Sequence, residues 1–181
     1  MTHASPKKDE RARRAAGFAI VADTREQVRH SSQYTFAFSA EGTPAVPVIR
    51  AKLDVGDYSV YGLEDRFALE RKTVADAYHT FGSGRERFER ELERAAKLEY
   101  FGIVIEGSLR GLTVPPRFVE TVTPGTIINS LIAWSIDYPI RVWLADDRHH
   151  AEFLTYSIAR KFYNRAVERG IVEVPALPFA P

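Results

Sequence analysis

From Gly56 to Lys72 the chain reads Gly-Asp-Tyr-Ser-Val-Tyr-Gly-Leu-Glu-Asp-Arg-Phe-Ala-Leu-Glu-Arg-Lys, two strand-length runs about a polar turn. With Gly62 to Asp65 as the loop of a hairpin, Tyr61 faces Arg66, Val60 faces Phe67, Ser59 faces Ala68, Tyr58 faces Leu69 and Asp57 faces Glu70. Side chains alternate between the two faces of a strand. One face therefore collects Tyr58, Val60, Phe67 and Leu69, an apolar set that needs a core. The other collects Asp57, Ser59, Ala68, Glu70 and Lys72. A one-residue slip mixes the two sets, so the hydrophobic pattern itself fixes the register.

The rest of the chain can supply that core. Its 181 residues suit one domain, and a domain of that size buries roughly two-thirds of the surface its unfolded chain exposes. Phe18 to Ala22 is a continuous apolar run of strand length, closed by the polar group Asp23-Thr24-Arg25-Glu26. A second strand is predicted within Val48 to Leu53. Thr73 to Phe81 reads as a short helix broken by Gly82-Ser83-Gly84. A longer helix runs from Arg85 to about Glu99, with Phe88, Leu92, Ala95 and Ala96 on one face. Phe101 to Ile105 is a buried strand. It is followed by a helix over about Thr126 to Tyr138, a strand over Ile140 to Ala145 and a helix over about Ala151 to Arg169. Thr123-Pro124 supplies a cap and a first-turn proline for the first of these helices, and Leu154, Ile158 and Phe162 mark the core face of the last. Strands alternating with helices on this scale predict a two- or three-layer α/β domain over 17–170. A basic arm (1–16) precedes it and a Pro-rich tail (171–181) follows. The arm, with Lys7, Lys8, Arg11, Arg13 and Arg14, reads either as a solvated tail or as a grip on nucleic acid. Phe179 in the tail either packs or binds a partner.

Composition excludes several classes. Lys and Arg total 25 against 24 acids, so any basic surface is local. The chain has no Cys, which rules out a disulfide scaffold and any Cys-based zinc site or nucleophile and suits an intracellular, cytoplasmic protein. No run approaches 18 apolar residues and the start lacks a signal peptide's apolar segment, so no membrane partner is expected.

The polar face of the hairpin carries the chemistry. Directly opposed residues sit about 4.5–5.5 Å apart at Cβ, where like charges are destabilising. Two carboxylates placed there beside a small Ser and Ala need a reason. A divalent cation is one, because hard ions such as Mg²⁺ take oxygen ligands and keep several waters. Lys72 points to the same face, to orient or deprotonate a water or to hold a phosphate; an ordinary surface charge pair is the alternative. Asp23 ends the first strand either as a third oxygen ligand or as a turn residue. Arg25 could clamp a phosphate, and Glu26 is either structural or a support to the ligands. Thr73 and Asp76 have the spacing of a capping box, which accounts for Asp76 without a metal.

The combination Asp23-x-Arg25-Glu26, Gly56-Asp57 and Glu70-Arg71-Lys72-x3-Asp76 resembles the ERCC4-type nuclease domain of the XPF/Mus81 family, whose signature is G-D-x(n)-E-R-K-x3-D. The likeness continues through Gly84-Arg85 and Ile103-Val104-Ile105-Glu106-Gly107 and covers roughly 18–165. It implies a restriction-endonuclease-like (PD-(D/E)xK) α/β fold, with a central mixed sheet flanked by helices. The implied activity is hydrolysis of DNA phosphodiesters at branched structures such as flaps and forks, with Mg²⁺ or Mn²⁺, in repair or recombination. Asp57 and Glu70 become metal ligands assisted by Asp23, Arg71 and Lys72 join the catalytic motif, and Arg25, Glu26 and Asp76 surround it. Eukaryotic and archaeal members usually append a tandem helix-hairpin-helix module. A chain of 181 residues is expected to leave no room for one and looks more like compact bacterial or phage members.

DNA affinity should come mostly from cation–phosphate contacts. On the charged helix Arg85 is the first candidate, since Gly84 lets backbone approach a ligand, and Arg87 belongs to a stripe with Arg90, Arg94 and Lys97. Arg94 and Lys97 read better as a solvated face. Ile127, Ile128, Leu131, Ile132, Trp134 and Ile136 make their helix apolar on more than one side, either as core or as a homodimer interface in the C-terminal third, since the family commonly dimerises through this domain. His149-His150 beside Asp146-Asp147 reads as a surface turn and helix start. Two other readings remain: a restriction- or resolvase-like nuclease of the same fold, and a non-catalytic DNA-binding partner.

Overall fold

Among the described residues, hydrophobic alternation and short apolar runs produce six strands: β1 (Ile20–Asp23), β2 (Val48–Ala51), β3 (Tyr58–Val60), β4 (Phe67–Thr73), β5 (Tyr100–Glu106) and β6 (Ile140–Leu144). The computed structural model describes residues 17–24, 34–36, 46–117 and 122–172. The basic arm over 1–16, Arg25, Glu26 and the chain from 173 on, with Phe179, lie outside the described residues. The strands form one mixed sheet in the order β2-β1-β3-β4-β5-β6. β1 runs parallel to β2 and antiparallel to β3, and β3 is antiparallel to β4. β4, β5 and β6 are mutually parallel neighbours. Tyr58 pairs with Leu69, the register expected from the alternation.

Helices cover both faces. Helices α1 (Val74–Phe81), α2 (Arg85–Ala95) and α4 (Pro124–Asp137) bury Tyr78, Phe81, Phe88, Leu92, Ile127 and Trp134 in the same core as Ala68, Phe101, Ile103 and Ile105. Helix α5 (Arg148–Glu168) covers the opposite face, where Tyr58, Val60, Phe67, Leu69 and Val104 meet Ala151, Ala159 and Tyr163. Fully burying one such large apolar side chain contributes about 1.5–3 kcal/mol. The two hairpin faces thus enter two different cores. Among the described residues, no helix is long and apolar enough to cross a membrane.

Local signals set the helix starts. The Thr73 side chain accepts from Asp76 N–H and the Asp76 carboxylate accepts in return, the reciprocal cap expected. Thr123 caps α4 with Pro124 in its first turn. Asp147 caps α5, so that helix begins at Arg148 and includes His149 and His150.

Three expectations change. α2 stops at Ala95, and Ala96 is exposed rather than part of the apolar face. A short turn, α3 (Leu109–Leu112), stands where no element was expected. The core side of α5 is Ala151, Thr155, Ala159, Tyr163 and Ala166, while Leu154, Ile158 and Phe162 are half-buried on its flank. Small residues let the helix come close to the sheet, which leaves the larger ones to its side.

Candidate functional site

Both carboxylates singled out in the hairpin open into one polar cleft on the α1/α2 side of the sheet. Its cavity is about 280 Å³ and is lined by Asp23, Gly56, Asp57, Glu70, Arg87, Glu91 and Arg94. Asp57 is fixed by β-sheet geometry. Its N–H donates to Leu69 O at 2.9 Å and its carbonyl accepts from Asp23 N–H at 2.8 Å. Its Oδ2 accepts from the Arg71 N–H at 2.8 Å. Glu70, 6% exposed, projects from β4 toward the same side.

Lys72 is buried beside Glu70. Its Nζ donates to Glu70 Oε1 and lies 4.8 Å from the centre of the Phe88 ring. Burial first, and Asp57 second, push the Glu70 carboxyl well above the usual carboxylate range; Lys72 opposes the rise and Glu91 adds to it. Burial works against the charged Lys72 ammonium, but the surrounding Glu70, Asp57 and Glu91 outweigh it and hold the group above its ordinary value.

The donor set suits a hard cation. Two carboxylates raise each other's energy where water is scarce, and a divalent ion relieves that repulsion. Among the described residues, no group of three or more His, Asp or Glu side chains gathers tightly enough to hold an ion unaided. A hydrated Mg²⁺ does not require one, because it binds through one or two carboxylates and retains several waters. Asp57 and Glu70 fit that role. Asp23 lines the cleft, and its Oδ2 accepts from Leu53 N–H at 2.9 Å, which ties the end of β2 to the site.

The structure relocates three expected site residues. Arg71 alternates away from Glu70 and Lys72 and faces α5, where its guanidinium binds Glu106 through two oxygens at 2.7 and 3.1 Å. Tyr34 lies over that guanidinium at 5.0 Å and donates its hydroxyl to Glu106 at 2.8 Å. Arg71 reaches Asp57 through its backbone N–H. Arg85 lies along α4: its Nη1 donates to Ser130 at 2.6 Å, its Nε pairs with Glu89 at 2.9 Å, and its guanidinium lies 4.9 Å from the Trp134 ring centre. It clamps α2 to α4, with its side chain 39% exposed. Asp76 is engaged in its cap and does not line the cleft.

Arg87 does line the cleft, as expected, and Arg94 joins it although the sequence favoured a solvated face. Neither pairs with a carboxylate among the described residues. Glu91 was missed altogether. The available signal was its position four residues after Arg87 and three before Arg94, a spacing that puts the three on neighbouring turns of one helix face.

The sequence matches the family model of the ERCC4 domain over residues 22–157. No protein of curated function matches it. Among solved structures, XPF from Aeropyrum pernix is similar with a TM-score of 0.62 and 24% identity, over 84% of this chain and 69% of that one. The same protein in complex with DNA gives a TM-score of 0.60 and 26% identity, over 81% and 66%. The chain thus spans about two-thirds of the length of these structures. The match over most of the chain, and a six-stranded mixed sheet of restriction-endonuclease-like type carrying the G-D and E-R-K-x3-D positions, show that the chain belongs to the ERCC4 domain family.

Proposed function

We propose that the protein is a metal-dependent, structure-selective DNA endonuclease that hydrolyses phosphodiesters at branched DNA such as flaps and forks. The observation that carries this reading is the single cleft in which Asp57 and Glu70 meet Arg87 and Arg94. Carboxylates suited to a cation and guanidinium groups suited to a phosphate line the same cleft, which supports metal-dependent phosphodiester hydrolysis.

Mg²⁺ or Mn²⁺ is the proposed cofactor, with Asp57 and Glu70 as ligands and Asp23 in support. Such an ion supplies Lewis-acid polarisation of the phosphate and activation of a water. The chain's own groups do the rest. Arg87 and Arg94 draw the DNA backbone to the mouth of the cleft, through contacts that weaken steeply with salt. Lys72, fixed by Glu70 and the Phe88 ring, orients the attacking water by hydrogen bonding. Arg71 acts through its backbone N–H, which aims the Asp57 carboxylate.

Cleavage of end-labelled flap, fork, four-way junction and linear duplex, each with Mg²⁺, Mn²⁺ or EDTA, tests the proposal. The expected result is incision of flap or fork near the branch, abolished by EDTA. Cutting of linear duplex with equal efficiency would replace it with a restriction-like activity. Binding without incision under every metal would leave a non-catalytic DNA-binding subunit.

The proposed assembly is a homodimer through the C-terminal third. Among the described residues β6 is the last strand of the sheet, paired by β5 and packed against α4, and Leu144 of β6 and Ile132 and Ile136 of α4 remain 39%, 51% and 77% exposed. Exposed large apolar residues grouped at a sheet edge mark an interaction surface. Sedimentation equilibrium is expected to give a dimer that Ile136→Glu converts to monomer with little loss of melting temperature. A wild-type monomer at assay concentrations would remove this part of the proposal.

A further inference from the structure

Three hydrogen bonds that hold Asp57 come from strands: its N–H on Leu69 O, its carbonyl on Asp23 N–H, and its Oδ2 on Arg71 N–H. The peptide just before it is held from another layer. Gly56 N–H donates to Glu91 Oε1 of α2 at 3.2 Å. Gly56 has a φ of +73°, a left-handed conformation that favours glycine. A Cβ there would stand 2.9 Å from Leu69 O, so the turn is pressed against β4 and has no slack on that side. Glu91 closes it from the other side.

We propose that Glu91 is a positioning residue for the cation site: its hydrogen bond to Gly56 fixes the turn that aims the Asp57 carboxylate. The same helix face carries Arg87 and Arg94 into the cleft. One rigid element therefore supports both the groups that would meet phosphate and the group that would hold the ion. Partners one step removed from a metal typically change affinity or activity by about 10–100-fold when lost. The inference rests on the metal-dependent reading of the cleft.

Mn²⁺ binding to the full chain without DNA, followed by calorimetry and by the electron paramagnetic resonance of free Mn²⁺, is the test, with melting temperature measured alongside. Glu91→Gln keeps an acceptor oxygen at the same reach, whereas Glu91→Ala and Glu91→Met remove it. Wild type and Glu91→Gln are expected to bind Mn²⁺ within about two-fold of each other, and the Ala and Met variants roughly ten-fold more weakly. In cleavage the two deletions are expected to lower kcat at fixed Mn²⁺ with little change in KM for DNA, and added Mn²⁺ restores the rate. A Gln variant as weak as Ala would show that the charge matters and the hydrogen bond does not, which overturns the proposal. Deletions that bind Mn²⁺ like wild type would also overturn it, while leaving the nuclease reading intact. A wild type that binds no Mn²⁺ would end both.

Discussion

Asp57→Asn is expected to reduce hydrolysis by roughly 10³-fold or more while leaving the protein as stable as wild type, or slightly more stable. The loss follows from the proposed role of Asp57 as one of two oxygen ligands to the cation. A bound metal supplies several kcal/mol of transition-state stabilisation, and each 1.36 kcal/mol is about ten-fold in rate. The preserved fold follows from geometry. Asn keeps a carbonyl oxygen to accept the Arg71 N–H, and both backbone bonds of residue 57 are untouched. Asp57 is also the leading charge that disfavours ionised Glu70, so neutralising it relieves repulsion inside the cleft. Such sites trade stability for function. Single-turnover cleavage of a labelled fork, Mn²⁺ binding and thermal melting check the three parts together. Cleavage at the wild-type rate would remove Asp57 from the chemistry.

The second large effect concerns Arg71 and Glu106, whose side chains are each 9% exposed and joined by two hydrogen bonds. Arg71→Met leaves a buried carboxylate without its cation, and Glu106→Gln takes the paired charge from the Arg71 guanidinium. Breaking a buried pair from one side costs about 3–5 kcal/mol, which lowers melting by roughly 10 °C for a chain of this length. The double variant Arg71→Met/Glu106→Gln removes both charges and still lets residue 106 accept from the Tyr34 hydroxyl. It is expected to recover most of the lost stability, because replacing a whole buried pair is often neutral. It is also expected to cleave DNA, since the Arg71 N–H that holds Asp57 is unchanged. A stable double variant as inactive as Asp57→Asn would return the guanidinium to the catalytic machinery.

That second case shows what the chain discloses about itself and what it withholds. A period of two along β4 places Glu70 and Lys72 on one face and Arg71 on the other. The sequence therefore contained the answer, but a shared motif drew Arg71 into the site with its neighbours. The hairpin was legible because each strand divides cleanly into apolar and polar faces, and the caps at Thr73 and Thr123 because they need only local geometry. Of the helix arginines, Arg85 and Arg94 were not legible. Which of them faces the sheet depends on how α2 rotates as Phe88, Leu92 and Ala95 settle into the core. Arg85 finds its partners Ser130 and Trp134 some 45 positions away, a distance no local pattern spans. The same limit explains α5. Ala151, Thr155 and Ala159 recur at the same four-residue spacing as Leu154, Ile158 and Phe162, and hydrophobicity alone favours the row that packs at the margin of the core rather than its centre.

The contacts of Arg85 with α4 bear on any charge scan of α2. Removing that guanidinium loosens the seam between two helices, one of which presents Arg87 and Arg94 to the cleft. Weakened DNA retention after such a change would report a displaced scaffold, whereas the same weakening at Arg87 would report a missing counter-charge. Affinity and melting point measured together on each variant tell the two apart.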